Sequence, residues 1–176
     1  KIFYKNLFLP GSKLNFANNL LAKNDKKKAA TFISENGFRE ERSWQKLNQN
    51  SNKLVHFLKD KKINQKDRVA AYMPNTIETV EAFISTAAIG AIWSSCSPDF
   101  GVKGVIERFS QINPKILFIT DQYYYNGKQI NIIDRLPEIL EAIPSIKNVI
   151  VTTYPGKSSL KFKKKIKKLS LIHISE

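Results

Sequence analysis

The chain has 176 residues, 42% hydrophobic and 25% charged, a globular composition that excludes a disordered or collagen-like protein. With 29 Lys and Arg against 15 Asp and Glu its formal charge is +14, so nucleic acid or an anionic surface is the first partner class to test. The one cysteine, Cys96, excludes a disulfide framework within the chain and any thiolate-rich zinc or iron–sulfur site.

Residues 30–34 and 38–42 are short runs separated by Glu35-Asn36-Gly37, and Asn-Gly between such runs predicts a β-hairpin. Ser43 is placed to cap a helix whose Trp44, Leu47, Ser51, Leu54 and Leu58 share one stripe at helical spacing. Residues 59–66 are a polar break, and 68–73 a strand stopped by Pro74-Asn75. Thr76 then caps a helix with Ile77, Val80, Ile84, Ala87 and Ala88 on its apolar face, and Gly90 ends it. Residues 91–96 read as a buried strand. Ser97 or Asp99 caps the next helix, with Val102, Val105, Phe109 and Ile112 on one side and Pro114 beyond. A strand over 115–120 and a Tyr123-Tyr124-Tyr125-Asn126-Gly127 loop follow. Ile132, Ile133, Leu136, Ile139, Leu140 and Ile143 describe a helix broken at Pro144, and 148–153 a last strand, with ordered structure ending near Tyr154-Pro155-Gly156. This alternation predicts an α/β fold: a mainly parallel sheet flanked by helices, with a short N-terminal β-hairpin.

The charge is unevenly placed. Residues 157–176 hold seven lysines against Glu176, a net of +6, which leaves +8 over residues 1–156. Lysine outnumbers arginine 24 to 5, the expected signature of an AT-rich genome. Arginine is the better residue for bidentate phosphate recognition, so this bias argues against evolved nucleic-acid reading. The longest uncharged stretch, 82–98, is 17 residues, rich in hydroxyls and split by Gly90, short of a membrane span. A soluble cytoplasmic protein is expected, with no nucleic-acid or membrane partner. The chain opens at Lys1 without a signal-peptide layout. The expected organisation is a folded part over 1–156, a lysine-rich coil over 157–168, and an octapeptide over 169–176. That octapeptide, Leu-Ser-Leu-Ile-His-Ile-Ser-Glu, resembles the translation of a transposase-type sequencing adapter.

There is no Walker loop, dinucleotide fingerprint or zinc spacing. Gly101-Val102-Lys103-Gly104 opens a helix and could offer amides to an anion, although a turn with close helix packing needs the same glycines. His56 falls off its helix's apolar stripe and reads as a surface residue; Cys96 reads as a small packed core residue. The cluster Tyr123–Tyr125 followed by Lys128 is where aromatic faces and a cation meet in a loop after a strand, and open α/β sheets bind ligands in such loops.

The run Ala87-Ala88-Ile89-Gly90-Ala91-Ile92-Trp93-Ser94-Ser95-Cys96-Ser97-Pro98-Asp99-Phe100-Gly101 resembles the acetoacetyl-CoA synthetase family, within the adenylate-forming acyl-CoA synthetase superfamily. The segments at 14–21, 67–75, 108–115 and 125–128 continue the resemblance in order, over about residues 6–155. Asn18 departs from the glutamate of that pattern, and Leu7-Phe8-Leu9-Pro10 lacks its tryptophan.

The resemblance implies the front part of the large N-terminal domain of an AMP-forming acid–thiol ligase of lipid and ketone-body metabolism. Its substrates are acetoacetate, ATP and CoA, and Mg²⁺ balances the phosphate charge. The phosphate loop, the ribose-binding aspartate, the hinge and the catalytic lysine of that family lie beyond this chain, so no catalytic residue and no metal ligand is expected here and the piece alone is expected to be inactive. By resemblance to acetyl-CoA synthetases, Tyr125, Asn126, Gly127 and Lys128 match a segment that holds the nucleotide phosphates of CoA; Lys128 would supply charge and Gly127 close backbone approach. A ligase for acetate or propionate, and a basic module using Lys161–Lys168 on nucleic acid or anionic lipid, are the alternatives. Oligomeric state stays open.

Overall fold

The computed structural model describes residues 11–156 and the backbone of residues 170–174. The lysine run 161–168 and the segment 7–10 lie outside the described residues. Asn15 starts α1 (Phe16–Leu20): its side-chain oxygen accepts from the Ala17 and Asn18 amides, while its Nδ2 donates to the carbonyls of Ala87 and Ala88 at 3.0 and 3.2 Å. Five residues are too few for an apolar period to announce the helix.

The expected hairpin pairs β1 (Lys28–Ile33) antiparallel to β2 (Arg39–Ser43), turning through Gly37 at φ +81°. Ser43 accepts from the Lys46 amide and caps α2 (Trp44–Asp60), whose Leu47, Ser51, Leu54 and Leu58 are buried as their spacing requires. Next come β3 (Arg68–Tyr72), α3 (Ile77–Ala88), β4 (Ile92–Cys96), α4 (Val102–Ser110) and β5 (Ile116–Thr120). The hairpin β6 (Gln122–Tyr125) and β7 (Lys128–Asn131) leads to a single 3-10 turn, Ile133–Arg135, then α5 (Leu136–Ala142), β8 (Asn148–Thr152) and β9 (Ser170–Ile174).

The main sheet runs β4-β3-β5-β8-β9, parallel throughout. Successive residues of a strand point to opposite faces, and both faces are covered. Val69, Ala71, Met73, Ile116, Phe118 and Ile150 meet α2 and α3 through Leu54, Leu58 and Ala82. On the other face Ala70, Tyr72, Leu117, Ile119 and Val149 meet α4 and α5 through Val105, Phe109, Leu136 and Ile139. Every residue of β5 is buried, which its unbroken Ile-Leu-Phe-Ile-Thr run anticipates.

Five details differ from expectation. The 91–96 strand is fully buried only at Cys96: β4 is the sheet edge, and Ile92 is 50% exposed. On α3, Val80 is exposed while Glu81, Ser85 and Thr86 are buried: Glu81 and Ser85 face α2, where Ser85 Oγ donates to the Ser51 carbonyl at 3.0 Å, and the Thr86 hydroxyl is satisfied by the Ala82 carbonyl at 2.8 Å. Gly101, not Ser97 or Asp99, caps α4; those two bond each other instead, Ser97 Oγ to Asp99 Oδ2 at 2.8 Å. The helix expected from Ile132 opens as a 3-10 turn, since the Asp121 carbonyl takes the amides of both Ile132 and Ile133. Ordered structure does not stop at residue 156. β9 pairs with β8 from Asn148↔Ser170 to Thr152↔Ile174, and the backbone of a sheet edge accepts any strand-forming segment whatever its origin.

Gly156 closes the described body at φ +77°, and a Cβ there would lie 2.6 Å from Cδ2 of Phe38. Gly156→Ala is therefore expected to cost about 1–3 kcal/mol, from the left-handed backbone and the clash together. Thermal unfolding reads it, and Phe38→Ala in the same background should return the part due to the clash.

Candidate functional site

The carboxyl ends of β3 and β4 and the β6–β7 hairpin surround a cleft of about 260 Å³, lined among others by Met73, Thr79, Ser97, Asp99, Tyr123 and Tyr125. This is where an open parallel sheet takes its ligands. Pro74 and the 97–101 loop wall it because each strand ends there and turns back along a helix.

The 97–101 loop is held from beneath. Tyr72, fully buried on β3, donates its hydroxyl to the Phe100 carbonyl at 2.6 Å, with the Pro98 carbonyl at 3.1 Å. Arg135 Nη1 donates to that same phenol oxygen and to the Pro98 carbonyl at 3.1 Å. Burial pushes the Tyr72 phenol up, and the neighbouring guanidinium pulls against it. On the cleft side Tyr123 donates to Asp99 Oδ1 at 3.0 Å, and burial, reinforced by that carboxylate, pushes the Tyr123 phenol up to about 12. Tyr123 is thus a neutral donor that fixes Asp99. Farther out, Gly104 abuts the Phe100 ring, on which the Arg108 guanidinium stacks at 4.3 Å. Close packing against Phe100 accounts for Gly104, whereas a side chain at Gly101 would meet open space. Cys96 is buried, and burial raises its thiol, as befits a packed core residue; His56 is exposed.

Tyr125, Asn126, Gly127 and Lys128 form the turn of the β6–β7 hairpin rather than an open loop. Asn126 and Gly127 both take positive φ, +50° and +71°, the geometry a two-residue hairpin turn demands. Tyr125 and Lys128 face each other across the turn. Tyr125 is 55% exposed and lines the cleft; the Gly127 amide points outward and donates to Glu35 Oε2 at 3.1 Å.

A second polar centre lies apart from the cleft. Arg42 on β2, 5% exposed, sits 2.5 Å from Glu40, 3.3 Å from Glu78 and 3.6 Å from Glu81, and Asn50 on α2 donates to Glu81 at 2.9 Å. Burial pushes Glu81 up to about 7 despite Arg42. Nothing in the sequence announced this cluster, nor Arg135, nor the Tyr123–Asp99 pair, because each joins residues from different elements. Among the described residues no group of three His, Cys, Asp or Glu could hold a metal ion, and no helix is long and apolar enough to cross a membrane.

Residues 20–171 match the family described as AMP-binding enzyme. The acetoacetyl-CoA synthetase of Gallus gallus is 40% identical over 146 residues, covering 82% of this chain and 22% of that protein. The acetoacetyl-coenzyme A synthetase of Rhizobium meliloti is 39% identical over 152 residues, covering 86% and 23%. The solved acetoacetyl-CoA synthetase of Streptomyces lividans superposes with a TM-score of 0.82 at 30% identity, over 94% of this chain and 25% of that one. The chain thus spans under a quarter of the length of these curated relatives. A parallel sheet with a cleft at its carboxyl ends, and a family match over most of the chain, lead to one conclusion: the chain belongs to the AMP-binding enzyme family.

Proposed function

We propose that this chain is the front part of the adenylate-forming domain of an acetoacetate–CoA ligase acting in the cytoplasm. The observation that carries the reading is the superposition on an acetoacetyl-CoA synthetase across 94% of the chain. The Trp93-Ser94-Ser95-Cys96-Ser97-Pro98-Asp99-Phe100-Gly101 run supports the acetoacetate branch.

A carboxylate is a poor acyl donor because its leaving group would be oxide. In the reaction proposed for the whole enzyme, an acetoacetate oxygen attacks the α-phosphorus of ATP and pyrophosphate leaves. The CoA thiolate then attacks the acyl-adenylate carbonyl, and AMP departs as a stable anion. Positioning and charge stabilisation carry most of such chemistry. Mg²⁺ accompanies ATP in this class of reaction; the described residues supply no cluster for it, so no step is assigned to it here.

The part of this segment is to receive CoA. Tyr125, at the cleft mouth, offers an aromatic face; the Gly127 amide and the Lys128 ammonium offer an anion two donors of different kinds. In the full-length ligase carrying this segment, Lys128→Ala is expected to raise KM for CoA about 3- to 10-fold, the loss of one exposed phosphate contact, and to leave KM for acetoacetate unmoved. An unchanged KM for CoA removes the site. Pyrophosphate release driven by acetoacetate, in parallel with acetate and propionate, tests the acyl preference; faster turnover of either competitor overturns it. The division at 156 and 168 belongs to the same proposal, and ordinary genomic sequence beneath Leu169–Glu176 would remove its adapter part.

A further inference from the structure

Glu35 stands where an anion belongs. It lies in the turn of the β1–β2 hairpin, 92 residues from Gly127 in sequence, yet its Oε2 accepts the Gly127 amide at 3.1 Å. The amide is presented outward because Asn126 and Gly127 both adopt the left-handed conformation, which turns their N–H groups away from the strand ladder. Lys128 follows directly in sequence, and the carboxylate thus occupies the amide that is proposed above, with Lys128, for a CoA phosphate.

The contact is built by packed elements rather than by two free loops. Phe32 on β1 meets the Tyr154 ring edge-on at 5.9 Å, and Tyr154 meets Tyr124 on β6 at 5.8 Å. This aromatic row ties one hairpin to the other. Ser34 and Phe38 close the β1–β2 turn through the Ser34 amide at 2.9 Å, which fixes where Glu35 emerges. Glu35 is also close enough to help push the Tyr154 phenol up, after burial.

We propose that Glu35 is a tethered competitor for the phosphate position of the CoA site. This rests on the reading of Tyr125–Lys128 given above. With the carboxylate on the Gly127 amide, an incoming phosphate must displace it and then remain near its charge. Both effects weaken CoA binding, and so set the affinity below what the turn and Lys128 alone would give. The device favours release of CoA thioester product as well as limiting capture of CoA, since both carry the same phosphates.

Charge and tether separate cleanly by substitution. Glu35→Gln keeps a side-chain oxygen that accepts the Gly127 amide and removes only the charge. Steady-state kinetics of the full-length ligase should show KM for CoA falling about 3- to 10-fold in Glu35→Gln at low salt. The difference should shrink at 0.5 M salt, chosen as roughly three times physiological ionic strength, while KM for acetoacetate stays fixed. Dephospho-CoA distinguishes the source of the anion: a gain confined to CoA assigns the 3′-phosphate, and an equal gain with dephospho-CoA assigns the diphosphate, either supporting the proposal. If Lys128→Ala raises KM for CoA but Glu35→Gln leaves it unchanged or raises it, Glu35 is only a strut and the competitor is refuted. If neither variant moves KM for CoA, the site itself fails, and the competitor with it.

Discussion

Arg42→Ala is expected to lower the unfolding free energy by about 3–5 kcal/mol at pH 8, because it removes the cation of a buried cluster and leaves the acids. Glu40, Glu78 and Glu81 converge on one guanidinium that is 5% exposed, with Glu81 6% exposed. Burial holds Glu81 up near 7 against the pull of Arg42 and Asn50, and the neighbouring Glu78 and Glu40 add to the rise, since three carboxylates about one cation leave the centre net negative when all are ionised. The direction of the pH dependence follows. Glu81 binds its proton more tightly in the folded chain than in the unfolded one, where its pKa is the ordinary 4.5. Its contribution is therefore fully present below pH 4.5 and is lost as pH rises through about 7. The shift from 4.5 to about 7 amounts to about 3 kcal/mol across that window. Without Arg42 the largest influence lowering Glu81 disappears, so the penalty of the variant should grow between pH 5 and pH 8. Glu81→Gln, which can still accept from Asn50, should flatten the profile and raise the melting temperature at pH 8. Urea unfolding of the three proteins at both pH values reads all of this. An Arg42→Ala cost below about 1 kcal/mol and equal at both pH values would show that water reaches the cluster freely.

The frame of the fold was legible because it depends on local signals that the packing then confirmed. Ser43 followed by a Leu47, Ser51, Leu54, Leu58 stripe needs only helical geometry to be understood, and β3 and β5 declare themselves by apolar runs that only a doubly covered strand carries. The exposure of β4 was not legible. Ala-Ile-Trp-Ser-Ser-Cys has the composition of an interior strand, and its place at the edge is set by strand order, a non-local property. The hairpin at Asn126-Gly127 escaped because three tyrosines in succession mask the alternation that flags a strand, although the same dipeptide at Asn36-Gly37 was decisive. Charged residues were the least legible. An acid such as Glu81 between Val80 and Ala82 reads as a solvent face until Arg42, 39 positions earlier, is seen beside it. The position of Tyr125–Lys128 as a loop after a strand could be read from residues alone, but its assignment to CoA came from resemblance.

Arg135→Met is expected to unlatch the 97–101 loop, with a stability loss of about 2–4 kcal/mol, and, in the full-length ligase proposed above, to raise KM for CoA about tenfold. Arg135 reaches back from the turn before α5 to bridge β3 and the wall of the cleft. Its Nη1 serves the Tyr72 phenol oxygen and the Pro98 carbonyl, while Tyr72, with one proton to give, serves the nearer Phe100 carbonyl. Removing the guanidinium therefore strands the Pro98 carbonyl and deprives the phenol of its donor together, so the loss exceeds one bond. Tyr72→Phe removes the middle of the relay and should cost less on its own, because Arg135 can still reach the Pro98 carbonyl. The two should be non-additive in a double-mutant cycle, since each disables part of what the other removes. Arg135→Lys restores a charged donor without the planar fork and should recover stability only in part. On the proposed CoA role, Arg135 is a positioning residue whose effect would pass through Asp99 and Tyr123 on the cleft side of the same loop. Faster amide exchange at residues 97–101 in Arg135→Met, together with the rise in KM, would establish that route. A stability loss without any change in exchange or KM would mean that the Tyr123–Asp99 and Ser97–Asp99 bonds alone hold the wall, and that the latch beneath it serves the core.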